Sequence, residues 1–217
     1  MNRKIHVFDA YGTLFDVHSA VSRHAEETGP HHARVSEIWR NKQLEYSWTR
    51  SGMGRYRDFW SLTEEALDFA LAMVPGANKA AKANLMKAYE TLDCFGEVPE
   101  VLRTLKARGS KLAILSNGSP AMLESAVVSA GLGEWLDDVF SIDAVGVFKT
   151  DPATYRMVTD AYGAEPQEII FQSSNRWDIA GATAFGFTCN WVNRSGQPDE
   201  YRDLPPVAVF KNLRELL

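Results

Sequence analysis

The stretch that most constrains the fold lies near the start of the chain, where an apolar run leads into an aspartate and then a glycine. Residues 5–8 read Ile-His-Val-Phe, and Asp9-Ala10-Tyr11-Gly12 follows directly. Such a run is typical of a buried strand in a parallel sheet, and ligands of open α/β sheets bind beyond the carboxyl ends of the strands. The position of Asp9 therefore suits a catalytic group. Taken alone, it equally suits an aspartate that caps a helix or forms a turn.

Composition and charge exclude several classes of protein. The 217 residues suffice for one α/β domain with a sizeable insertion, or for two small domains. A net charge of -5 provides no basic field, so we expect no nucleic-acid partner. The first apolar run is too short for a signal peptide, and no run approaches the length of a membrane span. The spacing of Cys94 and Cys189 matches no metal-binding motif, and we expect both side chains to be reduced thiols. We therefore expect a cytoplasmic protein with no membrane partner.

The chain divides into a helical block and an alternating block. Residues 17–94 carry apolar side chains at helical spacing and no strand pattern, with helices predicted over 33–50, 56–74 and 78–89. From residue 95 onward, strand and helix patterns alternate, and strands are predicted over 111–115, 139–142, 168–172 and, as the last one, 187–192. Alternation of this kind indicates a parallel sheet with helices on both faces.

These patterns predict an α/β fold with a Rossmann-like parallel sheet. The core comprises residues 1–16 and 95–217, and residues 17–94 form an inserted α-helical cap subdomain. The first strand should lie centrally, between the second and fourth strands.

Polar groups follow four of the predicted strands, and the carboxyl ends of parallel strands meet at one edge of a sheet. The four places are Asp9, Ser116-Asn117, the turn from Asp143 to Lys149, and Ser173-Ser174-Asn175 with Asp178. A carboxylate, a hydroxyl, a lysine and a second carboxylate form a plausible nucleophilic site. In isolation, Ser116 would more often cap a turn and Lys149 would more often lie on the surface.

The order of these groups resembles the haloacid dehalogenase superfamily over nearly the whole chain. Most members of that superfamily are phosphatases with an Asp-x-Asp motif, in which the second aspartate is the acid/base. Here the corresponding residues are Asp9-Ala10-Tyr11. The loop after the fourth strand offers one carboxylate, Asp178, whereas a divalent cation prefers several oxygen ligands. Both departures argue against phosphoryl transfer.

The residues that depart from the phosphatase pattern resemble those of one branch of the superfamily, the L-2-haloacid dehalogenases. The matching motifs are Phe8–Val17, Trp39–Tyr46, Leu115–Gly118 and Ser173–Asp178. The resemblance implies hydrolysis of short (S)-2-haloacids, such as haloacetates and 2-halopropionate, to (R)-2-hydroxyacids with inversion. The reaction would pass through an ester on Asp9 that water later hydrolyses. The resemblance implies no metal and no other cofactor, a small-molecule 2-haloacid and a halide ion as partners, and a homodimer.

The resemblance also implies which residues form the site. The implied catalytic residues are Asp9, Thr13, Arg40, Ser116, Lys149, Tyr155, Ser173, Asn175 and Asp178. The implied substrate-binding residues are Ala10, Tyr11, Leu44, Phe59, Ser116, Asn117 and Trp177, of which Asn117 and Trp177 would hold the halide together with Arg40. Whether Asp178 or Lys149 activates the water stays open.

Several alternatives also stay open. Trp60 suits the pocket wall and the cap core equally well, and Trp39 and Trp48 suit a dimer interface or the protein interior. The alternative functions are a small-molecule phosphatase of the same superfamily and a non-catalytic binding protein related to it. A binding protein would be expected to have lost Asp9 or Lys149, and both residues are present.

Overall fold

The computed structural model describes residues 4–217 and has a six-stranded parallel sheet at its centre. The strands are β1 (Ile5–Phe8), β2 (Lys111–Ser116), β3 (Asp138–Ser141), β4 (Ile169–Ser173), β5 (Thr188–Val192) and β6 (Ala208–Phe210). Their order across the sheet is β3-β2-β1-β4-β5-β6, and every neighbouring pair is parallel. The predicted α/β fold and the central position of β1 between β2 and β4 are confirmed.

The edge strand β6 was not predicted, and the expectation that residues 187–192 form the last strand was wrong. Strand β6 has three residues, and Pro205-Pro206 lies shortly before it. A segment this short shows no alternating pattern that distinguishes a strand from a loop. Its extended form comes from pairing with β5, in which Asn190 lies beside Ala208 and Val192 beside Phe210.

Nine α-helices flank the sheet or form a separate layer in the described part of the chain. They are α1 (Ser19–Arg23), α2 (Ala25–Thr28), α3 (His32–Met53), α4 (Phe59–Met73), α5 (Lys82–Glu90), α6 (Val98–Ala107), α7 (Pro120–Ser129), α8 (Pro152–Tyr162) and α9 (Arg176–Phe185). Helix α3 ends at Met53, and Gly54 directly after it has a left-handed φ of 63° that terminates the helix. Asp58 caps α4 by accepting from the Ser61 N–H at 2.9 Å. Helix α4 therefore begins at Phe59, later than predicted.

The helical segment leaves and rejoins the sheet at neighbouring points. The Asp16 N–H donates to the Asp93 carbonyl at 2.8 Å, and the Phe95 N–H donates to the Leu14 carbonyl at 3.0 Å. Helices α1 to α5, with a short 3₁₀ turn before α5, lie between these crossings. This segment corresponds to the predicted cap, and "cap" below means residues 17–94.

The cap has an interior of its own. Helices α3 and α4 pack together, and Leu62, Leu67 and Leu85 are fully buried there. Trp39 is 2% exposed, and its indole N–H donates to the Thr63 carbonyl at 2.8 Å. Trp39 is therefore an internal residue of the cap, whereas Trp48 is 42% exposed. Among residues 4–217, no helix has the length and apolar character needed to cross a membrane.

His6, on the central strand, is a buried histidine in a sheet interior. It is 5% exposed, and Gln172 Nε2 lies 3.4 Å from His6 Nδ1, where it can donate to a neutral ring. Burial lowers the pKa of His6 from 6.5 to about 4, and the charge of Lys4 adds to this effect. The folded protein therefore resists protonation of this ring at pH values where the unfolded chain accepts it.

We expect the free energy of unfolding to fall as the pH drops from 6.5 towards 4, because only the unfolded chain gains a proton on His6 in that range. A shift of this size corresponds to about 3 kcal/mol at most. His6→Asn keeps an acceptor for Gln172 and should lose less stability over the same range in urea unfolding. His31→Asn, at an exposed position before α3, is the matched control. Equal losses in wild type and His6→Asn would contradict the prediction.

Candidate active site

The predicted polar residues meet at the carboxyl edge of the sheet. Asp9 follows β1, Ser116 ends β2 and Ser173 ends β4. Asn175 directly precedes α9, and Asp178 lies in its first turn. Lys149 comes from the loop between β3 and α8. The predicted turn from Asp143 to Lys149 thus contributes its lysine to this group, whereas the Asp143 carboxylate accepts from the Tyr56 hydroxyl.

A tight turn after β1 places Thr13 beside Asp9. The N–H groups of Thr13, Leu14 and Phe15 all donate to the Ala10 carbonyl, at 2.9 to 3.3 Å. Gly12 has a φ of 91°, and a Cβ atom there would lie 3.0 Å from Ser174 Oγ. Glycine therefore satisfies both the backbone angle and the close approach of the β4 loop.

The two oxygens of the Asp9 carboxylate differ in their donors. Oδ1 accepts from Lys149 Nζ at 3.1 Å. Oδ2 accepts from Asn175 Nδ2 at 2.8 Å, from Thr13 Oγ1 at 3.0 Å and from Ser173 Oγ at 3.4 Å. Asp9 is 5% exposed, so these donors replace most of its hydration. The carboxylate is held in one orientation, and Oδ1 is the oxygen that accepts fewer hydrogen bonds.

Lys149 bridges Asp9 to a second buried carboxylate. Its Nζ donates to Asp178 Oδ2 at 2.8 Å, and the Tyr155 hydroxyl donates to Asp178 Oδ1 at 2.9 Å. The side chains of Lys149 and Asp178 are fully buried. Burial alone would lower the pKa of Lys149, but the two carboxylates raise it, so the ammonium stays charged.

Asp178 has a proton affinity suited to acid–base chemistry near neutral pH. Burial raises the pKa of Asp178 to about 6, with Asp9 adding to the increase and Lys149 opposing it. Burial and the Asp178 charge raise the pKa of Tyr155 well above its usual value, so Tyr155 remains a neutral donor. Within this group, the carboxylate of Asp178 is therefore the side chain best able to accept a proton from water.

The cap adds a cation that has no acidic partner. Arg40, on α3, donates through NH2 to the Tyr11 carbonyl at 3.3 Å and to Asn175 Oδ1 at 3.4 Å. In the described part of the chain, no carboxylate forms an ion pair with Arg40. Its charge thus remains available close to Asp9, where an anion would be attracted.

A small cavity lies between the cap and the sheet edge. Its lining consists of Asp9, Tyr11, Arg40, Leu44, Phe59, Ser116, Asn117, Asn175 and Trp177. The cavity volume is about 10 Å³, room for roughly one water molecule. A ligand of several heavy atoms therefore needs more room than this cavity offers. Trp60 is not part of this lining and packs against the hydrophobic core, which favours the cap-core alternative for it.

Two backbone N–H groups and a serine hydroxyl at this edge of the sheet are also suited to binding an anion. Within residues 4–217, the N–H groups of Ala10 and Tyr11 donate to no protein acceptor. Ser116 Oγ accepts from the Gly118 N–H at 3.1 Å, which leaves its own proton free to donate. Consecutive turn amides form a concave anion site in many proteins. All the residues proposed from the sequence thus lie on this network, on the cavity wall, or in the turn after β1.

Sequence reasoning did not single out Tyr89, at the end of the cap, although it contacts the cavity wall. Its ring stacks on Tyr11 with a centroid distance of 5.7 Å and an interplanar angle of 22°. The helical pattern of residues 82–90 identifies Tyr89 only as a core position of α5. No local signal in the sequence distinguishes such a residue from ordinary packing.

Comparison with known proteins identifies the family of this chain. A family model described as haloacid dehalogenase-like hydrolase matches residues 4–186. The (S)-2-haloacid dehalogenase 4A of Burkholderia cepacia is 46% identical over 211 residues, which cover 97% of this chain and 91% of that protein. The (S)-2-haloacid dehalogenase 1 of Pseudomonas sp. (strain CBS-3) is also 46% identical over 211 residues, with coverage of 97% and 93%.

Solved structures agree with this match. A crystal structure of a dehalogenase with an intermediate complex has a TM-score of 0.95 at 44% identity, and the match covers 99% of this chain and 95% of that one. The L-2-haloacid dehalogenase from Xanthobacter autotrophicus with chloropropionic acid covalently bound has a TM-score of 0.87 at 37% identity, with coverage of 99% and 96%.

The hydrogen bond from Tyr155 stabilises the charged form of Asp178, so its removal should raise the pKa of Asp178 further. For Tyr155→Phe we expect an increase of roughly one to two pH units, the effect of one hydrogen bond to a charged group. The measurement is a ¹³C NMR titration of the Asp178 carboxyl. Tyr162→Phe, which removes a hydroxyl bonded to the distant Asp138, is the matched control and should leave the titration unchanged. A lowered or unaltered value in Tyr155→Phe would refute this assignment.

Proposed function

The chain belongs to the haloacid dehalogenase-like hydrolases, and from this premise we infer that it removes halide hydrolytically from short (S)-2-haloacids to give (R)-2-hydroxyacids. The observation that carries this conclusion is the pairing of an ionisable Asp9, held on one oxygen by Lys149, with the unpaired cation of Arg40 across a small cavity. The relative from Xanthobacter autotrophicus, which holds chloropropionic acid covalently, supports a covalent intermediate.

In the first step, an oxygen of Asp9 attacks the carbon that bears the halogen. Oδ1 has one donor and Oδ2 has three, so we assign the attack to Oδ1. The C–O bond forms as the carbon–halogen bond breaks, and the halide leaves with the bonding electrons. Attack opposite the halogen inverts the carbon once, from (S) to (R). In model reactions, holding both reactants in this geometry lowers the activation free energy by up to about 7–11 kcal/mol.

The departing halide is proposed to enter a cradle of three side chains. Arg40 supplies an uncompensated positive charge. Asn117 Oδ1 accepts from the backbone N–H of Lys149 at 3.0 Å, so the amide NH₂ of Asn117 is left to donate to an anion. Trp177 lines the same cavity with its indole ring. Such donors stabilise charge where it develops, and they need no reorganisation during the reaction.

The substrate carboxylate requires a separate set of donors. The N–H groups of Ala10 and Tyr11 and the Ser116 hydroxyl are proposed to bind it, because all three have free protons at the sheet edge. Leu44 and Phe59, from the cap, would contact the alkyl part of the substrate. This arrangement fixes the carbon in front of Asp9 and excludes bulk water.

In the second step, water attacks the ester carbonyl. With the ester on Oδ1, Oδ2 becomes the carbonyl oxygen, and Thr13, Ser173 and Asn175 stabilise its negative charge. We assign the proton of the water to Asp178, because the raised pKa of Lys149 keeps that group protonated. Collapse of the tetrahedral intermediate breaks the bond between the Asp9 carbonyl carbon and Oδ1, which leaves with the product as its hydroxyl oxygen. The departing alkoxide takes the proton of the new carboxyl group, which frees the hydroxyacid and restores the Asp9 carboxylate, and Asp178 then releases its proton to solvent. Tyr155 holds Asp178 in place through its hydroxyl.

The phosphatase alternative lacks its acid/base group. Tyr11 stands at the required position, and burial raises the pKa of its hydroxyl well above the usual value. Its ring is 3% exposed and packs against Phe59 and Tyr89. Residues 4–217 contain no cluster of three or more His, Cys, Asp or Glu side chains arranged to hold a metal ion.

We further propose that the protein is a cytoplasmic homodimer, with a 2-haloacid and halide as its small-molecule partners. The resemblance to the L-2-haloacid dehalogenases supports the dimer, and Trp48 on α3 offers an exposed apolar side chain for it. Cys94 and Cys189 are both free, as expected of thiols in a reducing compartment.

The proposed function predicts chloride release from chloroacetate in the presence of EDTA. It also predicts no phosphate release from a generic phosphomonoester with magnesium, because the acid/base aspartate is missing. Asp9→Asn keeps the shape of the side chain and should lower halide release by roughly a thousandfold or more. Magnesium-dependent phosphate release without halide release would support a phosphatase instead, and the absence of both activities would support a binding protein.

The ester mechanism predicts where oxygen goes in a single turnover in H₂¹⁸O. The first hydroxyacid should contain unlabelled oxygen from Asp9, and ¹⁸O should enter the Asp9 carboxyl, since water attacks the ester carbonyl. Mass spectrometry of the product and of the peptide with Asp9 measures both. Direct entry of ¹⁸O into the product, with Asp9 unlabelled, would exclude the ester.

A further inference from the structure

A largely buried arginine that follows β5 donates to the turn after β1. Nη2 of Arg194 donates to the Thr13 carbonyl at 2.8 Å, a length typical of a charge-assisted hydrogen bond. Nη1 of the same guanidinium lies 2.6 Å from Glu97 Oε1, and 17% of the Arg194 side chain is exposed. Arg194 is not part of the cavity wall, and no step of the proposed reaction uses it. Its two short bonds nevertheless hold the guanidinium against the turn that follows Asp9.

The guanidinium also packs against the point where the chain returns from the cap to the sheet. Cζ of Arg194 lies 3.8 Å from the centroid of the Phe95 ring, and the Phe95 N–H donates to the Leu14 carbonyl at 3.0 Å. Glu97 directly precedes α6 and is 7% exposed. All of these contacts are made by core residues, so the core itself positions the guanidinium.

The residue that accepts from Arg194 has its side chain on the nucleophile. Thr13 Oγ1 accepts from the Ser174 N–H at 2.8 Å and has one proton of its own. The Asp9 carboxylate, with Oδ2 at 3.0 Å, is a closer and stronger acceptor for that proton than Ser174 Oγ at 3.2 Å. The N–H of Thr13 makes only a long bond of 3.3 Å to the Ala10 carbonyl. The bond from Arg194 is therefore the shorter of these two restraints on the Thr13 backbone.

We propose that Arg194 is a positioning residue for ester hydrolysis, whose bond to the Thr13 carbonyl keeps the Thr13 hydroxyl on Asp9 Oδ2. This inference rests on the proposed function, in which Oδ2 becomes the carbonyl oxygen of the ester and gains negative charge when water attacks. Glu97 neutralises Arg194, so the guanidinium acts by holding the turn and does not attract the substrate. The earlier attack uses Oδ1, which Lys149 holds, and therefore depends less on Arg194.

Arg194→Met tests this role, because methionine has no donor for Thr13 and keeps an unbranched side chain against Phe95. The substitution is made in the Glu97→Gln background, since the Glu97 carboxylate would otherwise be a buried charge without a partner. Glu97→Gln alone is the matched control, because its amide oxygen can still accept from Arg194. Rapid quenching of a single turnover of chloroacetate measures the rate of chloride release and the rate of glycolate formation separately.

We expect glycolate formation to slow roughly tenfold relative to Glu97→Gln, which is part of the hundredfold or greater loss caused by removing an oxyanion donor outright. Chloride release should slow much less. The carboxymethyl ester of Asp9 should therefore accumulate, and mass spectrometry of the intact protein detects it. In a Thr13→Val background, the same exchange of Arg194 should slow glycolate formation little further, because the hydroxyl that it positions is already absent.

The difference between the two steps separates positioning from general support of the fold. Equal slowing of both steps, an unchanged rate of glycolate formation, or an equal loss with and without the Thr13 hydroxyl would overturn the inference. If the Arg194→Met variant does not fold, Arg194→Lys in the wild-type chain keeps the charge beside Glu97 and loses the planar fork. Arg194→Lys should then change the two rates in the same direction, to a smaller extent.

The wild-type protein separates this inference from the proposed function. A wild type that forms no ester with chloroacetate refutes the proposed function together with the role of Arg194. A wild type that turns over chloroacetate, with the same ratio of the two rates in all variants, refutes only the role of Arg194.

Discussion

The active site depends on one buried ammonium group between two buried carboxylates. Moving a charge out of water costs several kcal/mol per ion unless its partners are close and well oriented. Lys149 meets this condition with bonds of 3.1 Å to Asp9 and 2.8 Å to Asp178. The remaining lone pairs of the carboxylates are satisfied by Thr13, Ser173, Asn175 and Tyr155. These donors come from the turn after β1, from the end of β4 and the loop that follows it, and from α8, so the charge arrangement forms only when these parts of the fold come together.

This arrangement leaves the core with more negative than positive charge where an anionic substrate must bind. Two carboxylates face one ammonium, and a 2-haloacid adds a further negative charge. In compensation the core offers neutral donors, which are the N–H groups of Ala10 and Tyr11, the Ser116 hydroxyl and the Asn117 amide. The cation that balances the site comes from Arg40 in the cap. The cap therefore contributes a positive charge to the site as well as part of the cavity wall.

The sequence predicted the central place of β1 and the polar residues that gather at the sheet edge, because both depend on short, local patterns. An apolar run that ends in Asp9, and hydroxyl or amide groups after β2 and β4, lie at defined points of a parallel sheet whatever surrounds them. The roles of Arg40 and Leu44 needed the family resemblance, because an arginine on a helix normally faces solvent. The sequence could not reveal β6, which takes its form from β5. Nor could it place Trp60 or Tyr89, because the packing of several cap helices decides which side chains face the cavity.

The two crossings between sheet and cap lie side by side, where Asp16 bonds to Asp93 and Phe95 bonds to Leu14. An insertion whose ends are adjacent leaves the strands around it in register, whatever its length or internal structure. Asp9, Lys149 and Asp178 all stay with the sheet, while Arg40 and the apolar wall residues Leu44 and Phe59 belong to the insertion. A change within the insertion can therefore alter the contacts to a substrate without displacing the residues that the sheet carries.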